Sequence, residues 1–373
     1  MGFFARKSAP AEARPYVPGW LLGEGGSGAF PRSYEAQYEA VFATNPVGQR
    51  AVRLICNMVA ALPIHEAGGN ERAVALVKAP GLLEQMAAGL LLEGNAYALL
   101  LSGADDAPAE LYPLRPERVR VEMDSAGQPG IYSLRMAQGK ARRISRLDGV
   151  GRMQVAHVKA LNPGDDLYGL GCMGAAAAAA SIHNHASKWN KALLDNAARP
   201  SGALTYSPAD GSVLSGAQFD RLKDELTTQF AGAGNAGRPL LLDGGLKWQA
   251  MSLTPADMDF VALKEGAARD IALAFGVPPV LVGLPGDATY SNAREAGRAL
   301  VRQTVLPMAR RMLGALGAML GDWMGPVSLE IDEDLISELA EDRARLWESV
   351  SGADFLSRAE KRVQLGFAAE EEA

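Results

Sequence analysis

The residues from Thr254 to Trp323 constrain this chain most, because they spell a helix, a forced stop, a loop of small residues and a longer helix. Thr254 can cap the first helix, with Pro255 at its first position and Asp257 closing the box. Phe260, Leu263, Ala267, Ile271 and Ala274 recur at helical spacing and predict one apolar face. Gly276 suits a left-handed helix end, and Pro278-Pro279 forbids continuation. After the loop from Val280 to Ser291, Asn292 with Glu295 reads as a second capping box. Pro307 cannot donate to the Gln303 carbonyl, so the second helix should kink there.

Upstream, the Pro- and Gly-rich start has the composition of a mobile arm, and structure should begin near Ser33. Asn45-Pro46 opens a helix whose buried face is Val47, Ala51, Leu54, Ile55, Met58 and Val59. An apolar helix from Leu82 to Leu92 follows. Short strands are predicted at 98–101, 110–114, 118–123, 131–136 and 154–158, with Val119 and Val121 alternating against Arg118, Arg120 and Glu122. Cys172 to Arg199 predicts a helix of about 40 Å, and its six alanines, Ala175 to Ala180, invite close backbone approach. A strand at 203–206, a helix at 216–231 and two strands around Gly244-Gly245 come next. Beyond Gly325-Pro326, a strand at 327–331, a helix at 334–350 and a Ser357/Glu360 capping box lead to an acidic tail.

The order of these signals resembles the portal proteins of tailed phages (head–tail connectors) and of phage-derived gene transfer agents. The residues that carry the likeness are Asp259-Phe260, the run from Ile271 to Pro279, and Tyr290-Ser291-Asn292. Ala61-Leu62-Pro63 and the turn Gly94-Asn95-Ala96-Tyr97 add to it. The resemblance implies an α+β portal fold. Its parts would be a flexible arm (1–32), an α/β wing (33–170), a first stem helix (171–199), a small α/β clip (200–253) and a second stem helix (254–276). A tunnel loop (277–291), a kinked wing helix (292–325) and a short helical crown with its tail (326–373) complete it.

By the same resemblance, the protein would form a ring of twelve subunits at a capsid vertex, through which double-stranded DNA is packaged and ejected and to which the tail is joined. The implied partners are further copies of itself, DNA read without sequence preference, the large terminase subunit, a head–tail adaptor and the major capsid protein. The implied location is a virion or phage-like particle assembled in a bacterial cytoplasm. The tunnel loop facing DNA would be Val282, Gly283, Leu284, Pro285, Gly286, Asp287, Ala288, Thr289 and Tyr290. It has neither Lys nor Arg, so it suits sliding over gripping.

Composition narrows the classes. A net charge of −6 offers no overall field for nucleic acid. Two cysteines imply no disulfide framework, and no apolar stretch is long enough to span a membrane. Gly169-Leu-Gly-Cys-Met-Gly174 fits a dinucleotide fingerprint by its letters, which keeps open a nucleotide-cofactor oxidoreductase. Against it, a loop from Asn162 to Tyr168 separates strand from glycine, and no acid ends a following strand. His183 and His185 lie on different helix faces and cannot share a metal. No catalytic residue, cofactor site or metal site is expected, so the chain reads as a structural protein. Another self-assembling head–tail component is the third reading. Arg294, Arg298 and Arg302 form a basic ridge at spacings of four, each like-charge pair costing a few tenths of a kcal/mol. The ridge is either a solvated face or one completed by acids of an adjacent subunit or by DNA phosphates.

Overall fold

A computed structural model of the chain describes residues 30–125, 127–136, 139–195, 202–206, 215–218, 220–221, 246–250, 260–284 and 289–367. Helix α1 (Tyr34–Tyr38) is capped by Ser33 and runs through a π-helical turn into α2 (Pro46–Ala60). Asn45 starts α2 by accepting hydrogen bonds from the Val47 and Gly48 amides at 3.0 Å. The buried face of α2 is Val47, Ala51, Val52, Ile55, Cys56 and Val59, while the expected Leu54 and Met58 are half-buried.

Strand β1 (Ile64–Glu66), α3 (Glu71–Val77) and α4 (Leu82–Glu93) follow, with α4 bounded by left-handed Gly81 and Gly94. The wing then builds two antiparallel sheets. In the first, β2 (Asn95–Ser102) lies between β3 (Pro108–Leu114) and β7 (Val155–Lys159). In the second, β5 (Pro129–Arg135) lies between β4 (Val119–Met123) and β6 (Ala141–Ser145). Both faces of β2 are buried: one packs toward the helices, the other joins Leu114, Val119, Val121, Tyr132 and Ile144 of the facing strands. The region expected as the wing is thus α+β with antiparallel sheets.

Helix α5 (Met173–Asp195) and α6 (Phe260–Ala274), the pair expected as the stem, pack along one another. Between them β8 (Gly202–Tyr206) pairs antiparallel with β9 (Leu246–Ala250). The expected cap at Thr254 and most of the 216–231 helix lie outside the described residues. The buried face of α6 is Ala267, Ala268, Ile271 and Ala272, continued by Phe275. The face is thus turned from the predicted stripe: Leu263 is 48 % exposed, and so stands outside the core.

The long helical run is α7 (Tyr290–Leu300), a π-helical turn (Val301–Val305) and α8 (Leu306–Met324). Just before Pro307, where the sequence predicts a kink, the helix widens into this turn. The Leu306 amide bonds the Val301 carbonyl, five residues back, so the proline meets backbone already unwound. The cap of α7 is Thr289, whose hydroxyl accepts from the Asn292 amide at 3.2 Å. The Asn292/Glu295 box is therefore corrected: an extended Thr289 reaches the orphan amide first.

Strand β10 (Leu329–Ile331) returns to pair with β1, and the Glu66 carboxylate accepts from the Ser328 and Asn70 amides. The predicted 334–350 helix starts later. Burial of Ile336 and Leu339 holds 333–339 in 3₁₀ turns, and α9 spans Ala340–Ser351. Ser357 and Glu360 cap α10 (Arg358–Gln364) reciprocally, as read from the sequence.

Candidate functional site

Gly276 ends α6 with φ +67°, and the Val277 amide bonds the Ala272 carbonyl at 2.9 Å. The chain then makes a 3₁₀ turn, Pro279–Val282, stopped by Gly283 with φ +80°. Leu281, Val282 and Leu284 pack against the core, and the Leu284 amide bonds the Pro279 carbonyl at 3.2 Å. Thr289 is exposed, and Tyr290 already belongs to α7. Of the expected tunnel loop, Val282, Gly283 and Leu284 therefore form an anchored base and Thr289 and Tyr290 a helix start. Pro285, Gly286, Asp287 and Ala288 lie outside the described residues. The two helices that bear the loop are stitched together by the Thr304 hydroxyl, which donates to the Gly276 carbonyl at 3.2 Å. The π-helical turn carries Thr304 and so takes part in closing the loop's base.

The arginine ridge, Arg294 and Arg298 of α7 with Arg302 of the π-helical turn, meets acids of its own chain. Arg298, with 9 % of its side chain exposed, donates to Glu295 at 3.0 Å and to Glu341 at 2.7 Å. Its Nε stands 3.4 Å from Asp342. Arg294 also pairs with Glu341, and Arg302 with Asp342 at 2.7 Å. Hydrogen bonding from Arg298, then the nearby Arg294 charge, holds the Glu341 carboxyl below the usual range. This cluster ties the loop-bearing helix to α9. Glu341 and Asp342 escaped the sequence reading, since no local rule links a ridge to acids 43 residues away.

The glycine fingerprint serves another close approach. A Cβ on Gly169 would lie 1.9 Å from the Gly94 carbonyl oxygen, and one on Gly171 would lie 2.3 Å from that of Leu92. The Ala160 amide bonds the Gly94 carbonyl, and the Cys172 amide bonds that of Leu91, both at 2.8 Å. Asn95 locks the joint: its Oδ1 accepts from the Gly169 amide at 2.8 Å and from His157 Nε2 at 3.2 Å. Burial pushes His157 from 6.5 to about 3, so its ring is neutral, stacked 4.3 Å from Tyr97. A tight backbone joint thus stands in place of the cofactor reading.

The other histidines are dispersed. His183 Nδ1 accepts from Asn45, fastening α2 to the stem, while His185 bonds the Ser181 carbonyl. Asp165 accepts from the Leu167 and Tyr168 amides, Glu333 pairs with Arg310, and Asp334 pairs with Arg343. Among the described residues no group of His, Cys, Asp or Glu could hold a metal, and no single helix is long and apolar enough to cross a membrane.

Known proteins match this whole arrangement. A chain from the neck of a native gene transfer agent particle, computed with C12 symmetry, is 43 % identical with a TM-score of 0.71, covering 93 % of this chain and 97 % of that one. A Rickettsia felis protein of no stated function is 41 % identical over 290 residues, 76 % of this chain and 72 % of its own. The probable portal protein of Streptomyces phage phiC31 is 27 % identical over 342 residues, 80 % of this chain and 69 % of that protein. The family model described as phage portal protein matches residues 46–366, and the chain belongs to that family.

Proposed function

We propose that this portal-family chain is the ring subunit at the vertex of a phage-like particle, the passage for double-stranded DNA and the seat of the tail. The observation that carries the reading is the match, over nearly the full length of both chains, to a neck chain computed with C12 symmetry. Twelve copies would close the ring. Val261, Leu263 and Leu273 on α6 and Ile182 on α5 are exposed apolar side chains on the stem helices, which suits contact with the next copy. Residues 285–288 would face the DNA from the anchored base at Val282–Leu284. Neither Arg nor Lys occurs there, so contact would be steric. Arg294 and Arg302 are half-exposed and could add a neighbour's acids or phosphates to the pairs they already make. The protein would perform no chemistry itself: the large terminase subunit would drive translocation, the major capsid protein would surround the ring, and an adaptor would bind the clip.

Electron microscopy of the purified chain should show an axial ring with a central hole. Deleting Pro285–Ala288 should leave that ring intact while particles lose packaged DNA. The deletion spares Leu284, whose packing holds the loop base. Full-length packaged DNA in such particles would show the loop to be only a connection.

A further inference from the structure

The sheet of β4, β5 and β6 carries a face with more positive than negative charge. Residues 115–146 hold eight Arg or Lys against three Asp or Glu, a local +5 in a chain of net −6. Strand alternation sorts them. Val119, Val121, Tyr132 and Ile144 point into the core, so the opposite face presents Arg120, Arg135 and Arg143 with the single acid Glu122, and Arg118 just before β4. Register sets them side by side: Arg120 pairs with Ser133, Ser133 with Arg143, and Arg135 with Ala141. Arg120 and Arg143 therefore flank one small residue, about 10 Å apart at ordinary strand spacing.

Glu122 takes Arg143 at 2.6 Å, and Glu117 stands 3.9 Å from Arg118. Among the described residues Arg120 and Arg135, both exposed, have no carboxylate partner.

We infer that this sheet face is a second DNA contact, separate from the loop, that binds the phosphate backbone of duplex DNA without reading its sequence. The composition of the face favours nucleic acid over a protein partner. Protein interfaces are anchored by buried aromatic or aliphatic side chains surrounded by a polar rim. Here the positions beside the guanidiniums are Ser133, Ala141 and Ser145, and the one larger apolar side chain on this face, Ile131, is half-buried and too little exposed to anchor a protein. Nucleic-acid-binding surfaces are instead polar and strongly cationic, and guanidiniums donate paired hydrogen bonds to phosphate oxygens. Without base-reading elements, such contacts set position only. The overall acidity of the chain hides this face, because the sheet's charge is local.

The experiment measures binding of the full chain to two fluorescent duplexes of about 30 base pairs and unrelated sequence, across a salt series. Both duplexes should bind equally, with log affinity falling steeply against log salt, at about −0.9 per phosphate neutralised. Arg120→Ser with Arg143→Ser should lower affinity at low salt at least about tenfold and flatten the slope by about 2. Arg118→Ser with Arg135→Ser should act alike, which guards against one variant's misfolding. Arg50→Ser with Arg53→Ser, equally exposed on α2, should change neither quantity. Unchanged binding in both sheet variants, an equal loss in the α2 variant, or polyglutamate competing as well as DNA would each overturn the inference. The last would assign the face to an acidic protein. Ring assembly is not read in this assay, so its outcome leaves the portal reading untouched.

Discussion

Two joints flank the loop-bearing part of the molecule, and opposite physics holds them. At the wing–stem joint, backbone meets backbone: Gly94, Gly169 and Gly171 let chain segments touch where a methyl group would collide, and Asn95 satisfies the buried amide. At the joint between α7 and α9, side chains meet: three arginines share Glu295, Glu341 and Asp342. The first can neither slide nor re-pair without breaking backbone hydrogen bonds. The second is a set of long side chains around one buried guanidinium, and its rim pairs are exposed. The sheets at 95–159, the proposed wing, should therefore move as one piece with α5, while α9, in the proposed crown, is held by contacts that salt and mutation can loosen separately.

The largest effect should come from Gly169→Ala. Its Cβ would fall 1.9 Å from a carbonyl oxygen, and the obstacle is backbone, not a flexible side chain. A loss of about 3 kcal/mol or more is expected, at the top of the range for overpacking. Urea melts of the wing would check it, and near-native stability would mean the joint is as adjustable as the crown.

Acid should separate the joints next. His157 is held neutral well below its ordinary 6.5, so between that value and about 3 the unfolded chain takes a proton that the folded wing refuses. The unfolded state binds more protons there, so wing stability should fall by a few kcal/mol as pH drops through that window. Glu341 is also depressed, from 4.5, so its contribution is complete above 4.5 and is lost only as pH falls through its lower folded value. Melts at stepped pH should thus show the wing weakening first. His157→Phe should remove the early phase, and an unchanged profile would mean that His157 does not control the joint.

For the crown, Arg298→Ala should cost about 2 kcal/mol, because a buried, doubly bonded charge is removed while its acids remain partly wet. Amide exchange should rise in Ala340–Ser351 while the wing strands stay protected. Raising salt should reproduce part of this in the wild type and little in the variant. The rim pairs of Arg294 and Arg302 are worth about 0–1 kcal/mol each, so single changes there should be nearly silent for stability.

What was legible in the sequence was local chemistry. The Asn45-Pro46 start, the Gly276 stop, the alternation of β4 and the Ser357/Glu360 box each depend on residues within a turn of one another. What was not legible depends on distant segments. Asn95 reaches Gly169 across 74 residues, and Arg298 reaches Glu341 across 43. The α6 stripe was misjudged by a small rotation, because many alanines leave the apolar face poorly marked. The two rival caps of α7, Thr289 and Asn292, are both good formers, and only the extended conformation at Thr289 decides between them. The portal resemblance was carried by the order of local signals, and the family match spans residues 46–366, which contain them.

The smallest effect is also the most discriminating for the fingerprint. In a dinucleotide fold the third glycine lets helix and strand pack closely, so a methyl group at Gly174 would be harmful. In this chain nothing lies within 4 Å of a Cβ built there, and Gly174 is exposed in the first turn of α5. Gly174→Ala should therefore be neutral or should stabilise dissociated subunits by up to about 1 kcal/mol, since alanine loses less conformational freedom on entering a helix. The three glycines of one motif would then divide: Gly169 and Gly171 intolerant, Gly174 free. A cost above about 1 kcal/mol at Gly174 in thermal melts would mean that close packing extends into α5. The wing–stem joint would then reach further along the stem than the backbone contacts at Gly169 and Gly171 require.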